Sequence, residues 1–316
     1  MIKTLLIWAV ALLAIFLITT YLVSWIKQTH VAKAYPPLGD FIEADGYRLH
    51  YLKSGSGKPL VLLHGAGGNM RDFTFEEYAE LSNSWEVILL DRPGYGYSDA
   101  IGRGQLSLED EAAILAKALE KLGIKKADFV GYSYGGGVTT RLALDHPELV
   151  DRMVLIAPTL HDWPDRSVNW TNHVLAIPAV GRLIMNVVYA FAPKSYFEEL
   201  YAGVFTPQDP PEGYVEHVGL GLSTKPAIQV FNGHQIVNLL GELEKMIPRY
   251  GELSHRIHII HGTSDKSVSY KYHAQDFVKD AVNAQITTDY VEGIGHGILQ
   301  VERLRILKAI EDLSQE

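Results

Sequence analysis

Phe129-Val130-Gly131-Tyr132-Ser133-Tyr134-Gly135-Gly136-Gly137-Val138 is the stretch that decides the fold: a short apolar run enters a serine set between glycines, and a helical segment from Val138 to Leu144 leads away. The spacing is G-x-S-x-G. Glycines on both flanks allow a tight strand-to-helix turn with little side-chain bulk, so the Ser133 hydroxyl is expected to project from the C-terminal end of its strand. The plainer reading is a glycine-rich turn holding a structural serine, and the surrounding sequence has to decide between the two.

A serine nucleophile needs a base, because its hydroxyl is essentially un-ionised at neutral pH. His296, one of 13 histidines, lies in Gly293-Ile294-Gly295-His296-Gly297, a loop that follows the apolar run Ile286 to Val291. Imidazole titrates near neutrality and can take a proton and return it. The acid that orients it is expected after a strand lying between the serine and the histidine. Asp265, closing His261-Gly262-Thr263-Ser264-Asp265 behind Ile257 to Ile260, is preferred there over Asp162, which follows the preceding strand.

His64-Gly65-Ala66-Gly67-Gly68, at the end of Leu60 to Leu63, offers backbone N–H groups for the charge that develops on a carbonyl oxygen under attack. Ala66 is the first oxyanion donor expected, and Tyr134, immediately after the serine, the second. A phosphate-binding loop is the competing reading of these glycines. No G-x-x-x-x-G-K-S/T pattern is present, however, and Gly57-Lys58 runs into Pro59.

Outward from these motifs, Phe41 to Ala44 and Tyr47 to Lys53 flank Asp45-Gly46, a hairpin signal. Leu60 to Leu63, Val87 to Leu90, Phe129 to Val130 and Met153 to Ile156 read as buried strands, with amphipathic helices such as Leu108 to Leu122 between them. This alternation predicts an α/β fold with a mainly parallel sheet covered on both faces. The pattern stops near Pro158, resumes at Ile257 and ends in a helix from Ile298 to Leu313, so residues 159–254 are expected as a mostly helical insertion. Leu175 to Ala192 is more apolar than one helix stripe requires, and part of that surface, Met185 included, is expected to line an apolar pocket above the strand ends.

The N-terminus differs in kind. No residue from Leu5 to Ile26 is charged, Lys3 and Lys27 bracket the run, and Tyr21 and Trp25 lie near one end, as in an interfacial aromatic belt. About 20 apolar residues suffice to cross a bilayer core. Residues 1–34 are therefore expected as a single-pass transmembrane anchor and linker, with membrane lipid as its partner, and residues 35–316 as the domain that carries the chemistry. Ala32-Lys33-Ala34 has the small-x-small form of a signal-peptide cleavage site, but the apolar run exceeds the usual h-region of about 7 to 15 residues. The lysines on the two flanks are too evenly matched to orient the segment.

Composition excludes several classes. A net charge of -9 without basic blocks argues against a nucleic-acid partner. The absence of cysteine removes disulfides, thiolate metal sites and a cysteine nucleophile together. His255, His258 and His261 recur every third residue, but on a strand that spacing alternates faces, which argues against a metal site.

His64-Gly65, Asp91-Arg92-Pro93-Gly94-Tyr95-Gly96-Tyr97-Ser98, the Ser133 turn, His261 to Asp265 and Gly295-His296 occur in an order that resembles the α/β-hydrolase superfamily, over roughly residues 40–316. The resemblance implies an eight-stranded, mostly parallel sheet, a cap domain, a triad of Ser133, Asp265 and His296, and no cofactor. Asp91 and Arg92 are expected to shape their loop. Superfamily members that open epoxides or displace halide carry aspartate at the position of Ser133, so acyl transfer to water is the leading expectation: an esterase or lipase-like enzyme for an apolar or amphipathic small-molecule ester. Carbon–carbon bond hydrolases and cofactor-free haloperoxidase-like members share the serine triad. A hydrolase-fold receptor with little turnover is the non-enzymatic alternative.

Overall fold

The computed structural model describes residues 1–100 and 106–315. Its first element is a continuous helix, α1 (Ile2–Ala34), followed by the hairpin strands β1 (Asp40–Ala44) and β2 (Tyr47–Gly55), then β3 (Lys58–Leu63) and β4 (Trp85–Leu90). Helix α2 (Leu108–Lys121), strand β5 (Ala127–Tyr132), helix α3 (Tyr134–Asp145) and strand β6 (Val150–Ile156) complete the first half. Helices α4 (Trp170–Leu175), α5 (Pro178–Phe191), α6 (Lys194–Ala202), α7 (Tyr214–His217), α8 (Leu220–Ser223) and α9 (Pro226–Met246) then intervene before β7 (Arg256–Gly262). A short helix α10 (Phe277–Asp280), strand β8 (Gln285–Val291) and helices α11 (Ile298–Val301) and α12 (Arg303–Gln315) close the chain. The single closing helix expected from Ile298 is thus two, interrupted at Glu302.

The eight strands form one sheet in the order β1-β2-β4-β3-β5-β6-β7-β8. Only β2 runs against the rest: it opposes both β1 and β4, and every pairing from β4 to β8 is parallel. Asp45 and Gly46 make the hairpin turn with φ of 53° and 82°, the left-handed pair that a tight two-residue turn demands.

Alternation along the strands divides the core in two. Val61, Leu63, Ile88, Leu90 and Phe129 face α2, α3 and α9, while Leu60, Leu62, Leu89, Val130 and Val154 face the helices α11 and α12 and the turn at Tyr78. Both layers are sealed, and each large aliphatic side chain so buried contributes about 1.5–3 kcal/mol. Helix α2 starts where Ser107 and Asp110 form a reciprocal capping box, satisfying two amides that the helix leaves free. With both faces covered, side chains can meet a ligand where the parallel strands end, at their C-terminal edge.

Candidate active site

The turn after β5 is built around Ser133. Its backbone sits at φ 53° and ψ -120°, a region costly for a non-glycine residue, by about 1–3 kcal/mol. The sheet holds that geometry: the Ser133 amide donates to the Ile156 carbonyl at 2.9 Å, and the Ser133 carbonyl accepts from Gly136 at 2.9 Å and Thr159 at 3.1 Å. Glycine is required beside it. A Cβ on Gly135 would lie 2.3 Å from the Leu63 carbonyl oxygen, and one on Gly131 would lie 2.6 Å from Thr139 Oγ1. The helix begins at Tyr134, four residues earlier than the sequence pattern indicates, so its free N-terminal amides stand next to the serine.

Ser133 Oγ is 3.0 Å from His296 Nε2, and His296 Nδ1 is 2.6 Å from Asp265 Oδ2. All three residues are buried. Asp265 Oδ1 accepts the amides of Ser267 and Val268, both at 2.8 Å, which leaves Oδ2 for the imidazole. Burial alone would raise the Asp265 carboxyl, but His296 and His261 outweigh it and hold the group well below the usual carboxylate range. Asp162, the rival acid, is instead paired with His161 at 2.5 Å.

The His296 ring stacks on Tyr132 with centroids 5.4 Å apart, and the Tyr132 hydroxyl donates to the His296 carbonyl at 3.0 Å. Gln208, from the segment between β6 and β7, accepts from the Gly295 amide and donates to the Gly293 carbonyl, both at 2.9 Å. Nothing in the sequence pattern marks Gln208.

The loop 64–68 has its own supports. The Arg92 amide donates to His64 Nε2 at 3.0 Å, so the ring proton sits on Nδ1 and goes to the Gly65 carbonyl at 2.8 Å. Burial, reinforced by the Arg92 charge, pushes His64 down to about 3, which keeps it a neutral strut. Arg92 itself is buried against Glu111 at 2.9 Å and Gln235 at 2.9 Å, and Asp91 binds His50 at 2.6 Å and the Met70 amide at 2.8 Å. Both residues shape loops and neither touches the serine. The amides of Ala66 and Tyr134 have no acceptor among the described residues.

These groups open into a cavity of about 700 Å³. Tyr201, Val204, Ile236 and Leu239 supply apolar wall, and Trp163, Asn169, Ser267, Ser269 and His273 a more polar one. Helix α5 does not take part. The expectation that Met185 and its neighbours line the pocket is corrected: α5 packs against α1 and α9, with Met185 and Tyr189 buried and Phe191 stacked on Phe16 at 6.1 Å, while Val180, Leu183 and Ile184 stay exposed. Asp72, which the sequence did not single out, does line the cavity. Burial pushes its carboxyl up to about 7, against a hydrogen bond from the Tyr214 hydroxyl at 2.8 Å.

Among the described residues no group of histidine, aspartate and glutamate has the arrangement of a metal site. His258 bonds to Thr287 at 2.7 Å on the sheet surface, while His261 is buried beside Asp265.

Residues 58–293 match the family model described as the alpha/beta hydrolase fold. The chain belongs to that family. Over 123 residues it is 37% identical to 2-hydroxymuconate semialdehyde hydrolase of Pseudomonas sp. (strain CF600), a match covering 38% of this chain and 44% of that protein. The chain spans less than half the length of the curated relatives it matches. Among solved structures, an esterase from Exiguobacterium antarcticum superposes with a TM-score of 0.71 at 19% identity, over 88% of this chain and all 100% of that one. A membrane phospholipase A described as a bacterial virulence factor superposes with a TM-score of 0.66 at 18% identity, over 100% of this chain and 98% of that one. These likenesses are of fold.

Proposed function

We propose that this alpha/beta hydrolase is a serine esterase that cleaves a carboxylic ester through an acyl-enzyme, with Ser133 as nucleophile, His296 as acid–base and Asp265 as its orienter. The observation that carries the reading is the hydrogen-bonded series from Ser133 Oγ through His296 to Asp265, opening on a cavity beside two unoccupied amides. Ser133 Oγ attacks the ester carbonyl as His296 Nε2 takes its proton, and Asp265 stabilises the imidazolium. The amides of Ala66 and Tyr134 receive the oxyanion. On collapse the C–O bond breaks, and the proton on Nε2 passes to the departing alcohol oxygen. Water then repeats the sequence, with His296 as base, and releases the acid.

Residues 159–254 act as a cap over the strand ends, supplying Tyr201, Val204, Ile236 and Leu239 to the cavity wall. That wall supports an apolar or amphipathic acyl chain, each buried methylene being worth up to about 0.8 kcal/mol. Residues 1–34 act as a membrane anchor. The apolar side chains of α1 from Leu5 to Ile26 stay mostly exposed, so the helix is not a core helix of the domain. The small-x-small site lies in its last turn, where the Tyr97 hydroxyl holds the Ala32 and Tyr35 carbonyls at 3.5 Å and 2.5 Å. The breadth of the match to a membrane phospholipase A, which includes α1, favours retention over cleavage.

The name of the Pseudomonas relative favours a second reading, hydrolysis of a carbon–carbon bond by the same residues. Detergent-solubilised full-length protein should react with a fluorophosphonate at Ser133 and hydrolyse p-nitrophenyl esters from acetate to dodecanoate, with kcat/KM climbing over the first added carbons. Faster turnover of a 2-hydroxy-6-oxo-dienoate than of any ester would favour the second reading. Labelling without turnover of either would leave a binding protein, and a flat chain-length profile would remove the lipophilic pocket alone.

A further inference from the structure

His273 belongs to no step above, yet it is buried and lines the cavity. It sits in a π-helical turn, Lys271–Asp276, a widened turn that often marks a functional position. Its Nδ1 accepts two backbone amides, from Leu160 at 3.3 Å and His161 at 3.1 Å. A nitrogen that accepts carries no proton, so the proton of the neutral ring is on Nε2. Burial, followed by the charge of His261, pushes the imidazole down to about 3, so the ring stays neutral across the working range.

The hydrogen bonds of the ring among the described residues all go to Nδ1, which leaves Nε2 without a partner, and Nε2 is not among the fully enclosed unpaired atoms, as expected of a ring that borders the cavity. An N–H donor on a buried ring, with its tautomer fixed by the backbone and its free side on a cavity, is a donor waiting for an acceptor. The position of that acceptor follows from the loop that carries the same wall. Residues 266–269 wrap Asp265, donating two amides to its Oδ1, and Asp265 in turn holds His296. The polar wall therefore lies on the His296 side of the serine, where the departing alcohol must sit to receive its proton.

We propose that His273 and the 266–269 loop form a subsite for the alcohol part of the ester, and that His273 Nε2–H donates to an ether, carbonyl or hydroxyl oxygen there. The inference rests on the esterase reading. His273→Asn tests it, because the asparagine oxygen overlays Nδ1 and keeps the amides of Leu160 and His161 satisfied while nothing replaces Nε2–H. The substrates are heptyl butanoate and its analogue with ether oxygens at the third and sixth chain positions, which match in length and differ in acceptors.

In His273→Asn the ratio of kcat/KM, ether ester over alkyl ester, should fall about tenfold relative to wild type, the size of one lost hydrogen bond. The intrinsic reactivity of the two esters cancels in that comparison. His273→Gln, whose amide nitrogen reaches the Nε2 position, should keep the wild-type ratio at lower overall activity. Equal losses on both esters in His273→Asn would make His273 a prop for residues 160–161 and overturn the subsite. A fall confined to a matched pair with the oxygens in the acyl chain would overturn the assignment to the alcohol. Failure of the wild type on every ester would sink the esterase reading and this inference with it, whereas good turnover with no change in ratio would sink this inference alone.

Discussion

Replacing Asp72 by asparagine should stabilise the folded chain at pH 8 and leave it nearly unchanged at pH 4. The carboxyl is buried, and its folded-state value of about 7 stands against 3.8 when unfolded. Between those values the folded chain keeps the proton and the unfolded chain loses it, so fewer protons are bound on unfolding and stability falls as pH rises. The contribution is fully present below about pH 4 and gone above about pH 7. At 1.36 kcal/mol per pH unit the difference amounts to about 4 kcal/mol. Asparagine keeps the size of the side chain and an oxygen for the Tyr214 hydroxyl, which donates at 2.8 Å, but cannot ionise. Any hydrogen bond gained or lost by the amide shifts the whole curve, so the signal is the slope. Urea unfolding of the full chain in detergent micelles, followed by tryptophan fluorescence from pH 4 to 8, would show the mutant gaining over wild type by about 1.4 kcal/mol per pH unit between about pH 4 and 7 and levelling off above. Parallel curves would refute the buried, proton-holding carboxyl.

Ser133→Ala and His296→Ala should each remove nearly all hydrolysis without adding in the double mutant, because they act as one proton-transfer unit; substantial activity in either single mutant would sink the roles. Asp265→Asn should lower kcat by about four orders of magnitude by leaving His296 in the wrong tautomer, whereas Asp162→Asn, at a residue paired with His161, should change it little; steady-state kinetics on a p-nitrophenyl ester would rank them. Gly135→Ala should destabilise by about 1–3 kcal/mol or more, since its Cβ meets the Leu63 carbonyl oxygen at 2.3 Å, and a normal melting temperature would contradict that close approach. Arg92→Met should cost about 3–5 kcal/mol by leaving Glu111 buried without its cation. Adding Glu111→Gln should recover most of that loss in denaturant titrations.

The sheet was legible because its signals are local. Alternating strand and helix, the Asp45-Gly46 turn and the glycines around Ser133 each carry their meaning within a few residues. Ser133, His296 and Asp265 could be singled out for the same reason: each follows a strand end, and parallel strands bring such ends to one edge. Residues that line the cavity or brace its loops by packing left no such trace. Asp72 stands in a short 3-10 turn, His273 in a π turn and Gln208 in a loop of the insertion, and no spacing relates them to Ser133. The apolar excess of α5 was visible but ambiguous, because lining a pocket, packing against α1 and remaining on an exposed apolar face ask for the same residue types.

The insertion between β6 and β7 cannot be treated as a lid independent of the loops that carry Ala66 and His296, because several bonds that dock it end on those loops or beside them. Behind the loop 64–68, Asn69 donates to the Val218 carbonyl at 3.0 Å, Asp72 accepts from Tyr214, and Thr74 meets His217 at 2.9 Å. Across the cavity Gln208 grips Gly293 and Gly295, just before His296. Near the sheet, Gln235 joins Arg92 and Tyr95 to α9, at 2.9 Å and 2.8 Å. Each bond is worth about 1 kcal/mol net, so lifting the whole insertion would forfeit several kcal/mol. It would also displace the loop bearing Ala66 and the loop bearing His296 together. Side-chain motion at Trp163 or Tyr201, which line the cavity, breaks none of these ties. Entry by side-chain rearrangement therefore preserves the 3.0 Å contact between Ser133 and His296 that the proposed chemistry requires, whereas rigid opening of the insertion would strain it.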